Sequence, residues 1–573
     1  MLKLIRMNIE EKLVQAISEI VKEKYDLTPE SGTIMIEIPK DNSNGDYSTN
    51  IAMRLTKLLK RKPQEIAQEL KEELLKKLDN VDNIEIAGPG FINFWMKKDA
   101  LANVINTAIN LKDDYGKSNA GKGVKVLEEY VSANPTGILH CGHARGAAWG
   151  DSSVRIMKAA GYNVTREYYI NDAGNQMNNL AASVNARYLQ LLALEEKGGV
   201  PEDLTVQSLD AMDLGVTFPE NGYHGYDIIE TAQRIIRIYG KEFVNMDEQE
   251  RLVKFRTIAY QEKLAALKED LADFRVEFDE WFSEQTLHDA GKIKESCLML
   301  KEQGYVYEKD GALWLNSTQY GDDKDRVVIR DNGIPTYFAA DIAYHRNKFE
   351  RGFAHVINLW GADHHGYIAR MKAAVKALGY EPEQLEVLLL QMVRLYRNGS
   401  MVKLSKRTGE TVTIRELIDE VGVDAARYFF AMRAPSSHQD FDLTLAVEQS
   451  SNNPVYYSQY AHARLCSLLT LGEEIGIDAN CPLLTTEKEK AILKQLASFP
   501  QIVDSSAKEL APYHITNYVH DLAELVHAWY NESKIVDKDN IELSRSRLAL
   551  CEATKQVIKN ALNLVGVSAP IRM

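Results

Sequence analysis

One stretch limits the possible folds more than any other. Residues 124–131 read as a strand, run into the loop SANPTGILHCGH, and pass at once into a helical pattern that continues to about residue 160. A second strand–helix pair follows at 163–170 and 173–194. A strand that feeds a helix and then another strand returns parallel to itself, because only a long crossover can reverse the chain that way. Further strand signals at 326–330, 354–359 and 385–395, with a helix beginning near Tyr337, continue the alternation. The middle of the chain, 118–442, is therefore expected to be an α/β domain with a parallel sheet.

The flanks read differently. A helical pattern at 9–24, a strand at 33–39 and an Asn- and Gly-rich turn lead into an amphipathic helix with a lysine-rich face at 51–78. The strand signal 84–86, the turn Gly88-Pro89-Gly90 and the strand FINFWM close this segment. Residues 1–117 are thus expected to be a small α+β module, with a linker beginning at Tyr115. A polar, Gly-rich stretch at 197–226 reads as a surface insertion. From Ile414 onward the pattern is helical without a convincing strand, so 443–573 is expected to be all-α.

Composition removes several classes. Of 573 residues 45% are hydrophobic and 26% charged, the balance of a soluble globular protein rather than a disordered, collagenous or coiled-coil one. No apolar run approaches the ~20 residues that span a bilayer, and the charged start MLKLIRMNIEEK is unlike a signal peptide. Five scattered cysteines without CxxC spacing argue against a disulfide framework and a cysteine zinc site, and for a reducing cytoplasm. The net charge of −14 argues against coating nucleic acid by bulk charge. It is concentrated in the middle: 1–117 carry 18 basic against 19 acidic residues and 443–573 carry 12 against 15, which leaves 38 against 48 for 118–442.

The loop from Asn134 to Gly150 contains no carboxylate and opens a helix, whose first N–H groups and positive dipole end suit a phosphate chain. His140 and His143 share a face at that start, and Gly142 between them leaves room for a ligand. Taken alone, HxxH suits a pair of capping histidines equally well. A second phosphate-suited element follows the turn Asn398-Gly399: MVKLSKRTG places Lys403, Lys406 and Arg407 on a loop with Ser405 and Gly409. Such a loop can close on a triphosphate and neutralise developing charge. Alone it is an ordinary basic turn; with the histidine loop it is specific.

HCGH resembles the HIGH signature of class I aminoacyl-tRNA synthetases, and KLSKR resembles their KMSKS loop. The likeness narrows to the arginyl family of bacterial type. GDYSTNIA and AGPGFINF resemble its N-terminal module. EYVSANPTGILHCGH, WFSE, TYFAADIAYH and WGADHHGY resemble its catalytic core, and GVDAARYFF and NNPVYYSQYAHAR its helical anticodon domain. The motifs cover nearly the whole chain in the family's order. Two depart from pattern: Lys406 is kept where many members lack it, and the usual Asp-Ala-Leu-Arg tag reads Asp424-Ala425-Ala426-Arg427.

The resemblance implies a Rossmann-like catalytic domain (118–442) between a tRNA-binding α+β module (1–117) and a helical anticodon-binding domain (443–573). It implies attachment of L-arginine to tRNA(Arg) through an arginyl-adenylate, with ATP as its Mg2+ complex, no zinc or organic cofactor, no membrane partner and a cytoplasmic monomer. The substrates supply both nucleophiles, so the protein has to position and stabilise charge. By resemblance His140, His143, Lys403 and Lys406 are catalytic. Pro135, Thr136, Gly142, Gly361, Asp363, His364, His365 and Ser405 join them around ATP. Glu129 and Asn134 take the α-amino end of arginine, and Tyr337, Asp341 and Glu284 its guanidinium. Tyr457, Tyr460, Arg464 and Met573 lie near the anticodon loop, although an aromatic stripe at helical spacing also suits a core. The lysine-rich 54–77 segment suits either an RNA backbone or a solvated face.

Overall fold

The computed structural model describes residues 9–573 apart from 31, 38, 40, 42, 43, 403–410, 481 and 482. Its centre is a five-stranded sheet in which Leu385–Leu390, His355–Gly361, Lys125–Glu129, Asn163–Ile170 and Glu280–Ser283 lie side by side in that order, all parallel. The chain starts the sheet with Lys125–Glu129, builds outward to one edge, then returns to build outward from the other side of that first strand. Between Lys125–Glu129 and His355–Gly361 the connections leave in opposite directions, which opens a crevice at the strands' carboxyl ends. Asn358 is the register partner of Glu129 across this pair.

The helix Cys141–Ala159 packs on the sheet with one side and on C-terminal helices with the other. Fifteen of its nineteen residues are buried, so it has no polar face to read. Its run of Gly, Ala and Ser permits this close approach: a Cβ on Gly150 would stand 2.5 Å from the Tyr130 ring.

Elsewhere the structure differs from the sequence expectation in several places. Around 33–39 the only pairing among the described residues is the isolated bridge Glu37–Ser48. The helix expected over 51–78 is two, Ile51–Leu59 and Pro63–Lys77; Lys60 turns left-handed (φ 52°) and Pro63 starts the second. These helices and Ile9–Tyr25 cover an antiparallel sheet of Tyr47–Thr49, Phe91–Met96 and Val81–Ala87. The 197–226 stretch is not merely surface: Leu204 and Leu209 enter a separate core built by the helices Asn175–Lys197, Tyr226–Tyr239 and Glu248–Asp273. The strand Arg326–Ile329 belongs to a small antiparallel sheet with Val306–Lys309 and Ala312–Leu315, not to the parallel one.

The segment 385–395 splits. Val393–Arg397 pairs with Ser400–Val402 and, in parallel, with Gln439–Asp442, a strand within the region read as helical. Four residues that pair over 40 positions away leave no local signal. The C-terminal helices Pro454–Leu471, Glu487–Glu509, Pro512–Glu532 and Ile541–Leu564 form a bundle. Helix Lys98–Leu111 packs on two of them, and Tyr115 is buried with its hydroxyl donating to Leu496 O at 2.8 Å, so the segment read as a linker is docked.

A candidate active site at the carboxyl ends of the parallel strands

A cavity of about 970 Å³ opens at the crevice and is walled by Glu129, Asn134, His140, Gly142 and His143 on one side and Tyr337, Asp341, Gly361, Asp363 and His364 on the other. The chain leaves the first strand sharply, since Val131 (φ 67°) and Ser132 (φ 40°) both lie in the left-handed region. That conformation is costly, above all for a β-branched residue, and it marks a turn held by its surroundings. Ser132 Oγ donates to Glu129 Oε1 at 3.0 Å and accepts from the Tyr169 N–H at 3.2 Å.

At the helix start the two histidines cap each other. His140 Nδ1 accepts from the Gly142 N–H at 3.1 Å and His143 Nδ1 accepts from the His140 N–H at 3.2 Å, with the rings stacked at 3.7 Å. An Nδ1 that accepts fixes the ring proton on Nε2, so each neutral imidazole keeps one N–H to donate. Burial pushes both histidines down, His143 to about 3 with help from His140 beside it, which keeps them neutral. Capping and ligand binding are therefore compatible. Gly142 is needed for the histidine itself: a Cβ there would meet His140 Cε1 at 2.9 Å.

Lys403, Ser405, Lys406, Arg407 and Gly409 lie outside the described residues. The chain that follows them is tied to the histidine loop: Cys141 N–H donates to Val412 O at 3.0 Å and Ile414 N–H to Leu139 O at 2.8 Å. Arg145, fully buried, donates to the carbonyls of Gln391, Ala434 and Ser437 at 2.7–2.9 Å and holds the far wall against the same helix.

Across the cavity, Asp341 stands in the first turns of helix Tyr337–Glu350. Its carboxylate accepts from the Tyr367 hydroxyl and has no ion pair among the described residues. Burial pushes it up to about 7; the Tyr367 hydrogen bond opposes this, Glu284 and Glu129 add to it, and Lys348 offsets part. Tyr337 is 69% exposed at the mouth, free to cover a ligand. Glu284 is buried beside Tyr169, close enough to act on Asp341, but outside the cavity wall, with His288 Nε2 3.3 Å away. Glu129 is already paired with the buried Lys348.

Pro135 and Thr136 are buried under the loop rather than in the wall, and His365 is exposed outside it. Sequence reasoning missed Tyr367, Lys348 and Arg145. Tyr367 ends the WGADHHGY motif, and Lys348 lies seven residues from Asp341, on the same helix face, so both had a signal.

A second cluster lies on the helical bundle. Tyr457 and Tyr460 pack on His527, with ring centroids 4.5 and 5.8 Å away, and Arg464 lies over Tyr460 and Tyr530 at 4.7 and 4.2 Å. The tyrosines are half-buried, neither core nor free. The C-terminal segment crosses the same helix, with Pro570 O 2.9 Å from His462 Nδ1, and ends at the exposed Met573.

Three family models match the chain in succession: the arginyl tRNA synthetase N-terminal domain over 7–96, the class I (R) tRNA synthetase catalytic domain over 104–433, and the DALR anticodon binding domain over 458–573. An arginine–tRNA ligase of Bacillus cereus is 51% identical over 94% of both chains. One of Bacillus subtilis is 49% identical over 99% of this chain and 100% of its own. In fold, the chain is similar to the Thermus thermophilus arginyl-tRNA synthetase, with a TM-score of 0.74, 22% identity and coverage of 99% and 100% of the two chains.

Proposed function

The chain belongs to the arginyl-tRNA synthetase family, and on that premise we propose how its residues divide the work. The reaction is the ATP-dependent attachment of L-arginine to tRNA. The arginine carboxylate attacks the α-phosphate of ATP and releases pyrophosphate, and the arginyl group then passes from the adenylate to the terminal ribose of tRNA with release of AMP. Both nucleophiles belong to substrates, so catalysis rests on orientation and on charge placed where charge develops.

ATP enters as its magnesium complex, and the metal comes with the substrate. Its phosphates lie over the start of helix Cys141–Ala159, where the Nε2 protons of His140 and His143 donate to them. Lys403 and Lys406 neutralise the departing pyrophosphate, and Ser405 adds a donor. Pro135 and Thr136 shape the loop beneath. Gly361, Asp363 and His364 take the adenosine end, without His365, which is exposed outside the cavity. Arginine lies across the crevice with its α-amino group toward Glu129 and Asn134 and its guanidinium toward Asp341 and Tyr337, with Glu284 acting from behind Asp341.

One observation carries this orientation: Asp341 faces the cavity with a tyrosine hydroxyl and, among the described residues, no ion pair. A guanidinium, all donor and always charged, answers it. Citrulline, of nearly the same shape but uncharged, leaves that carboxylate unpaired and is rejected. Residues 1–117 and the cluster Tyr457, Tyr460, Arg464 and Met573 hold tRNA(Arg), and the protein works as a cytoplasmic monomer. Among the described residues no helix is long and apolar enough to cross a membrane.

The test is arginine-dependent ATP–pyrophosphate exchange against a panel of amino acids, with and without tRNA. Exchange with arginine alone among them, in the presence of cognate tRNA, is the expected result. Exchange with a different amino acid, or none at all with arginine and cognate tRNA, overturns it.

A further inference from the structure

Helix Tyr337–Glu350 aligns three side chains along one face: Asp341, which lines the cavity, and His345 and Lys348, which reach the sheet residues Asn358 and Glu129, spaced by four and three residues. His345 and Lys348 are buried, Lys348 completely, which is rare for a lysine and costly unless every donor is used. Here they are used. Lys348 Nζ donates to Glu129 Oε2 and, at 2.9 Å, to Asn358 Oδ1, and it lies 4.2 Å from the centre of the Tyr344 ring. Asn358 Nδ2 donates to His345 Nε2 at 2.9 Å, and His345 Nδ1 donates to the backbone carbonyl of Asp341 at 2.8 Å. The direction of each bond is forced, since lysine can only donate and a histidine that donates from Nδ1 accepts at Nε2 when neutral. Burial, with Lys348 nearby, holds His345 neutral, pushed down to about 3.

The result is an unbroken, buried chain from Glu129 at the end of one strand, through Asn358 beside it on the next, to the residue that carries the second carboxylate. Neither His345 nor Lys348 needs to touch a ligand to matter. We propose that Lys348, Asn358 and His345 are positioning residues that form a rigid spacer between Glu129 and Asp341, so that the cavity selects its cationic amino acid by length. This rests on the reading that Glu129 takes the α-amino group and Asp341 the guanidinium. A hydrophobic wall discriminates one methylene by only about 10–200-fold. Two anchors held at a fixed separation add to that, because an amino acid one methylene longer or shorter can satisfy one anchor only by leaving the other.

The experiment is aminoacylation of tRNA by the full-length enzyme with arginine, homoarginine (one methylene longer) and 2-amino-4-guanidinobutyrate (one shorter). Lys348→Met, Lys348→Arg and Asn358→Ala are compared with wild type, and Asp341→Asn and Glu129→Gln serve as controls on the underlying reading. Lys348→Met and Asn358→Ala are expected to raise the KM for arginine about tenfold or more, the size of effect of one charged hydrogen bond, while the KM for ATP stays within about twofold. They are also expected to narrow the kcat/KM preference for arginine over both homologues, and Lys348→Arg to restore part of it. Were Lys348→Met to lose its fold through the stranded Glu129, the double variant Lys348→Met/Glu129→Gln removes both charges; it is expected to show less length preference than Glu129→Gln alone. Unchanged preference in folded spacer variants, with Asp341→Asn and Glu129→Gln still impairing arginine use, overturns the spacer alone. Arginine KM unchanged in Asp341→Asn and Glu129→Gln overturns the reading beneath it.

Discussion

At Asp341 two demands oppose each other: burial favours the neutral acid, and a guanidinium needs the anion. With the carboxyl pushed up to about 7, the empty site is partly protonated at neutral pH, whereas the ligand's guanidinium is charged throughout. The KM for arginine should therefore rise as pH falls below about 7, approaching tenfold per unit, while the KM for ATP stays level; steady-state kinetics between pH 5.5 and 8.5 check this. A flat arginine KM across that range contradicts it. The same shift has a sign for stability. The folded state holds the proton that the unfolded chain has already lost between about pH 4 and 7, so Asp341 costs stability as pH rises through that window and the full cost is present at pH 8. Asp341→Asn should then stabilise the protein at pH 8 by about 1 kcal/mol or more and gain nothing at pH 4, as seen by denaturant titration.

At the scale of the element, helix Cys141–Ala159 lines the cavity with its first turn and packs with the rest. The mutual cap of His140 and His143 settles both ring protons, and Gly142 makes it possible. Gly142→Ala should push the His140 ring away, lower kcat for exchange by about 100–1,000-fold, the range of one lost oxyanion donor, and cost no more than about 1 kcal/mol of stability. A kcat close to wild type would show that ring placement is not what the glycine secures. The strand–loop–helix unit and the HxxH spacing were legible because they are local: period, turn chemistry and a motif within 40 residues. The spacer was not, because Asn358 and Glu129 become neighbours only when two strands over 200 positions apart pair. For the same reason Gln439–Asp442 was invisible, while the break at Lys60 could have been read from Pro63.

Across the whole molecule, the catalytic and helical parts meet at Arg427, the last residue of the Asp424-Ala425-Ala426-Arg427 tag. Wholly buried, it pairs with Asp151 of the histidine-bearing helix at 2.6 Å and donates to Val565 O at 3.1 Å and Phe274 O at 3.0 Å. The changed position, Ala426, is buried packing and leaves these bonds intact. Arg427→Met leaves Asp151 with Arg155 as a remaining partner and strands the Val565 and Phe274 carbonyls, so it should cost about 1–3 kcal/mol. Unfolding followed by Trp149 and Trp529 fluorescence checks it, and a loss under 1 kcal/mol contradicts it. The acidic excess of the middle segment acquires a partial meaning here, since Glu129 and Asp341 are among those carboxylates and line the cavity proposed to take a cation. The most direct test of that site is exchange kinetics of Asp341→Asn beside wild type, with arginine, ATP and cognate tRNA. A fall in kcat/KM for arginine of at least about a hundredfold, with the KM for ATP unchanged, is the predicted result; a folded Asp341→Asn enzyme that activates arginine as wild type does would contradict it.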